Sequence, residues 1–65
     1  MRVLGIDPGS HITGYGLIDR EKGGLKVVTY GDIKPARGMR LTACLDAIHG
    51  RLEEVVAEHR PDAIA

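Results

Sequence analysis

Asp7 ends the apolar run Arg2-Val3-Leu4-Gly5-Ile6 and is followed by Pro8-Gly9. A carboxylate at the end of a buried strand is costly unless it is paired, hydrogen-bonded or bound to a metal. Carboxylate oxygens suit hard cations of the magnesium type. Gathered at one end of a sheet, such ligands support phosphodiester hydrolysis, in which metals activate water and stabilise the leaving oxygen. The bland alternative is an Asp-Pro-Gly turn whose carboxylate only accepts bonds from nearby amides.

Residues beside Asp7 carry weaker signals. Backbone amides around Gly9 can meet a phosphate, and Ser10, His11 and Thr13 lie in or next to the same turn. His11 could reach a phosphate or a metal, yet the three histidines have no ligand spacing. A solvated loop histidine and a Thr13 that bonds only the turn backbone are the plain readings. Lys34, Arg37 and Arg40 form a basic cluster. It suits phosphate positioning as well as a solvated loop and helix start. Asp19 and Asp32 read as solvated, and Asp62 as a locally bonded turn residue. Cys44 lies on an apolar stripe and reads as core. Tyr15 and Tyr30 could stack on bases, but packing against neighbours explains two tyrosines on separate strands more simply.

The elements that must position these residues follow from periodicity. Arg2–Asp7 places Val3, Gly5 and Asp7 on one face and Leu4 and Ile6 on the other, apolar on both sides like a central strand. Thr13–Asp19 is a second strand, with Gly14 and Gly16 sharing a face that admits a close neighbour; tight packing of a helix there is favoured over direct DNA contact. After the polar turn Arg20–Gly24, Leu25–Lys34 returns as an edge hairpin strand. Its alternation sets Lys26, Tyr30, Asp32 and Lys34 opposite Leu25, Val27 and Ile33. A helix is expected over 39–59, preceded by Gly38 as cap and ended by Pro61. Leu41, Cys44, Leu45, Ile48, Leu52, Val55 and Val56 recur along it at helical spacing. Ala63-Ile64-Ala65 then opens a strand that a crossover makes parallel to the first.

Composition narrows the classes. Nine basic residues balance nine acidic ones, so no global field attracts nucleic acid. A single cysteine forms no internal disulfide, which fits a reducing cytosol. The apolar stretch Val3–Ile6 is too short for a signal peptide or membrane span. With 65 residues only a marginal core is available. The chain stops on an unclosed strand, so it is expected to be a truncated piece of one longer domain.

Gly5-Ile6-Asp7-Pro8-Gly9 followed by Thr13-Gly14-Tyr15-Gly16 resembles the N-terminal signature of RuvC-type Holliday-junction resolvases. Arg40-Leu41 and Pro61-Asp62 support the resemblance more weakly, and it extends over essentially the whole chain. It implies an α/β, ribonuclease-H-like fold, of which residues 1–65 form the N-terminal half: three antiparallel strands, a crossover helix and the start of a parallel fourth strand. It further implies a homodimeric endonuclease of DNA recombination and repair, cytoplasmic, that cuts four-way junctions by symmetric nicking. Magnesium or manganese, two ions per complete site, and a branch-migration helicase partner belong to the same implication. Asp7 matches the family's first metal-binding catalytic aspartate. A second acid is implied on the strand that opens at Ala63, and two more lie later, so the 65-residue piece alone is expected not to cleave DNA.

Two other readings compete. Actin- and sugar-kinase-like ATPases share the sheet and place an Asp-x-Gly phosphate turn after the first strand, which Asp7-Pro8-Gly9-Ser10 fits loosely. A non-catalytic relative would serve as a scaffold.

Overall fold

The computed structural model describes residues 1–9 and 11–65. The elements run β1 (Arg2–Asp7), β2 (Thr13–Glu21), β3 (Gly24–Ile33), α1 (Leu41–His59) and β4 (Ala63–Ile64). The sheet has the order β3-β2-β1-β4. β1 pairs antiparallel with β2 and parallel with β4, and β2 pairs antiparallel with β3. The meander, the crossover helix and the parallel fourth strand therefore match the ribonuclease-H-like expectation.

One face of the sheet carries the helix. Leu4 and Leu17, directly opposite each other in the β1–β2 ladder, meet Val55 of α1 in the fully buried centre. Ile6, Tyr15, Val28 and Val56 pack around them. Cys44 and Ile48 are also buried, as the helical stripe requires. Leu41 and Leu45, on the same stripe, are exposed. The helix begins at Leu41, with Arg40 in the cap position and no side-chain cap bond. Its C-cap is Arg60 in the left-handed region, with φ 49° and its N–H donated to the Val56 carbonyl. That closes the last turn before Pro61.

The register corrects two expectations. Leu17 pairs with Thr29 but Ile18 pairs with Val27, so Val28 is an extra residue in β3. A bulge of this kind breaks the two-residue alternation. Val27 consequently shares the helix-free face with Ile18, while Ile33 is buried on the helix side. Lys26 and Tyr30 likewise fall on opposite faces. Secondly, Gly14 and Gly16 lie on the face opposite the Leu4–Leu17 core. A Cβ at Gly16 would meet nothing within 4 Å. These glycines therefore do not seat α1; they leave the other face of the sheet shallow. Within the sheet the close approach is at Gly31, where a Cβ would meet the end of the Tyr15 side chain, its hydroxyl at 2.9 Å. Tyr15 lies across the strand over that position, as the packing reading expects, whereas Tyr30 is 79% exposed.

Arg2 ties three elements together at the end of the sheet away from Asp7. Its Nε and Nη2 donate to the two carboxylate oxygens of Asp19 at 2.7 and 2.9 Å. Its Nη1 donates to the His59 carbonyl of the last helical turn at 2.9 Å. The Arg2 N–H donates to Asp62 Oδ2, and the Asp62 N–H returns a bond to the Arg2 carbonyl, both at 2.7 Å. Asp19 is thus paired rather than solvated, and Asp62 bonds across the fold rather than locally.

The hydrogen bonds from Arg2, with its charge, hold the Asp19 carboxyl below its usual pKa. Their contribution is fully present above the ordinary carboxylate value of about 3.9. It is lost as the pH falls through the lower folded value. The stability gap between the native chain and Asp19→Asn should be constant from about pH 7 to pH 5 and should close below about pH 4. Unfolding curves taken across that range check it.

Candidate active site

Asp7 closes β1 opposite Gly14 of β2, and Gly14 in turn stands opposite Asp32 of β3. Three paired residues in neighbouring strands share one face, so both carboxylates flank the bare Gly14 position on the helix-free side. A Cβ built at Gly14 would lie 3.5 Å from Asp32 Oδ1 and 3.8 Å from the Asp7 Cβ. Both acids are exposed. The sequence reading treated Asp32 apart from Asp7; the signal that links them is the register, which runs through a residue with no side chain.

The turn after Asp7 is held by Thr13. Its hydroxyl accepts from the Gly9 N–H at 3.2 Å and donates to the Gly9 carbonyl at 2.7 Å. Thr13 is 2% exposed, the one buried polar side chain in the core among the described residues. A hydroxyl that both accepts and donates satisfies that burial fully. The Gly9 amide, which a nucleotide phosphate loop would offer to its ligand, is thereby occupied. Gly9 also sits where a Cβ would run into the Ile12 carbonyl, so glycine is required by close approach. Gly9→Ala should cost about 1–3 kcal/mol, the usual range for overpacking against backbone. Gly16→Ala, which meets open space, is the matched control in chemical unfolding. His11 and Ile12 are exposed, and Ser10 lies outside the described residues.

The donor chemistry at this end of the sheet is that of hard oxygen ligands. Asp7 and Asp32 offer carboxylates suited to a magnesium-type cation. Among the described residues no group of three or more His, Cys, Asp or Glu gathers to hold a metal. Asp7 and Asp32 are thus a pair of neighbouring carboxylates and do not by themselves make up such a group. Lys34 and Arg37 follow β3 on the connection to α1, and both are exposed. Arg40 lies further on, at the helix cap.

Comparison with known proteins shows the family and the fold. The sequence model of the family described as "Crossover junction endodeoxyribonuclease RuvC" matches residues 3–65. The chain is 45% identical over 65 residues to crossover junction endodeoxyribonuclease RuvC of Syntrophomonas wolfei, covering 100% of this chain and 38% of that protein. It is 49% identical over 65 residues to the protein of the same name in Geobacter metallireducens, covering 40% of it. Among solved structures, Thermus thermophilus RuvC superposes with a TM-score of 0.88 at 30% identity, over 98% of this chain and 40% of that one. T. thermophilus RuvC in complex with a Holliday junction substrate gives the same TM-score at 29% identity, over 98% of this chain and 41% of that one. The chain thus spans about two-fifths of the length of the relatives it matches. No helix among the described residues is long and apolar enough to cross a membrane. With the strand order, the Asp7 turn and the sequence match in agreement, this chain belongs to the RuvC family of crossover junction endodeoxyribonucleases.

Proposed function

We propose that residues 1–65 are the N-terminal part of a single ribonuclease-H-like nuclease domain whose whole protein resolves Holliday junctions by metal-dependent symmetric nicking. The observation that carries this is Asp7, a carboxylate on the central strand of the sheet, exposed beside the bare Gly14 position. Support also comes from the relatives named for the activity and from the neighbour solved with a Holliday junction.

In this reading Asp7 is the first ligand of a site for two magnesium or manganese ions. When bound, such ions supply Lewis acidity to the scissile phosphate and a water of lowered pKa. Asp7 orients the site from a strand held on both sides by ladder bonds, which costs little reorganisation. Thr13 fixes the turn that leads away from Asp7, so Gly9 contributes through its fixed backbone rather than through a free amide. His11 stands on the solvent side of that turn, and for Ser10 the phosphate contact is proposed from the sequence alone. Hydrolysis is direct, with water as nucleophile and no covalent enzyme intermediate. The 65-residue chain alone, holding only part of the ligand set, is inactive. The working form is a cytoplasmic homodimer acting in recombination and repair beside a branch-migrating helicase.

The test is cleavage of a labelled four-way junction by the full-length protein containing this chain, with magnesium. Paired symmetric nicks are expected. Absence of cleavage by the unaltered protein would overturn the reading and leave the ATPase and scaffold alternatives, which nucleotide binding separates.

A further inference from the structure

The loop after β1 and the connection from β3 to α1 enclose a cleft of about 690 Å³. Its charged or chargeable lining is His11, Lys34 and Arg37, and no Asp or Glu lines it. In a chain of zero formal charge, that is a local concentration of positive groups. None of the three takes part in an ion pair among the described residues. The cleft opens at the same end of the sheet as Asp7: Ile33 pairs with Thr13, and Lys34 is the next residue along. The remaining walls include Ile12, Pro35 and Met39, which present apolar surface between the basic groups.

We infer that this cleft is a seat for the DNA backbone, with Lys34 and Arg37 taking phosphates at the Asp7 end of the sheet. The inference rests on the resolvase reading and deepens it, because it assigns two positioning residues to that site. Unpaired cations beside an apolar wall match a strand that alternates phosphate and sugar, and phosphate contacts of this kind set register without reading sequence. Arg40, which the sequence groups with Lys34 and Arg37, does not line the cleft and carries no such role. His11 faces the same space from the opposite loop, so the two loops hold the strand between them.

Each phosphate neutralised by a cation contributes about 0.9 to the slope of log K against log salt on duplex DNA. The experiment measures binding of a four-way junction by the full-length protein from about 50 to 200 mM salt, with Asp7→Asn in every arm to keep the DNA intact. The double variant Lys34→Gln/Arg37→Gln should flatten the slope by about 1.8. The charge-preserving pair Lys34→Arg/Arg37→Lys should restore it. Lys22→Gln/Lys26→Gln, at the far hairpin, removes the same charge and should leave the slope unchanged. An unchanged slope in the first double, or an equal loss in the hairpin double, would overturn the inference while leaving the resolvase reading intact. No junction binding by the Asp7→Asn protein with Lys34 and Arg37 intact would overturn that reading, and the inference with it.

Discussion

Asp7→Asn is expected to remove junction nicking by the full-length protein while leaving junction binding intact or tighter. The substitution keeps the shape of the side chain and its place opposite Gly14, so the strand and turn should be undisturbed. In the proposed site it removes one anionic oxygen ligand, and cation stabilisation of the transferring phosphoryl group amounts to several kcal/mol. A loss of about 3–4 kcal/mol is a rate reduction of roughly 160- to 900-fold. Removing a negative charge from beside a phosphate also relieves repulsion, so affinity should not fall. Single-turnover cleavage and gel-shift binding, run side by side, separate the two effects. Cleavage within about tenfold of the native rate would remove Asp7 from the ligand set.

Leu17→Ala is expected to have the largest effect on stability. Leu17 is 0% exposed and forms the buried centre with Leu4 and Val55. Leu-to-Ala changes at such sites cost about 2–5 kcal/mol, the transfer term plus the cavity left behind. At the usual ~0.05–0.15 kcal/mol per residue, a unit of this size has only about 3–10 kcal/mol of stability in all. The variant should therefore lose most of its cooperative unfolding transition. Leu25→Ala, at a position 71% exposed, should shift the midpoint by no more than about 0.5 kcal/mol. Equal midpoints for the two variants would mean that the Leu4–Leu17–Val55 cluster is not the centre of the fold.

The elements and their order were legible because strand and helix periods differ, and because Gly23-Gly24 and Pro61 mark the boundaries. Asp7 was conspicuous as a candidate because an acid after an apolar strand stands out chemically. Its neighbour Asp32 was not, since their adjacency depends on the pairing of β3 with β2 through Gly14. The Val28 bulge was hidden for a different reason. Val27 and Val28 are identical in type, so no pattern of residue classes marks which one is extra. Gly14 and Gly16 were assigned the wrong neighbour because both faces of β2 carry small or apolar residues, and only the position of α1 decides which is covered. The Arg2 pairings with Asp19 and Asp62 bridge 17 and 60 residues, beyond the reach of any local spacing rule.

The parallel seam between β1 and β4 has a consequence for timing along the chain. Val3 stands beside Ala63 and Leu4 beside Ile64, and Ala65 continues the seam with bonds to Leu4 and Ile6. In any chain that runs on in this register, the residue two places past Ala65 arrives level with Asp7 and on its face. The one before it points toward the helix. The short passage Arg60–Asp62 therefore sets a phase: it decides whether an acid carried by the next strand meets Asp7 or is delivered to the core. The pair of hydrogen bonds between Asp62 and the Arg2 backbone locks that phase at the far end of the seam. An anchor at one end of the sheet thus governs which side chains can assemble at the other.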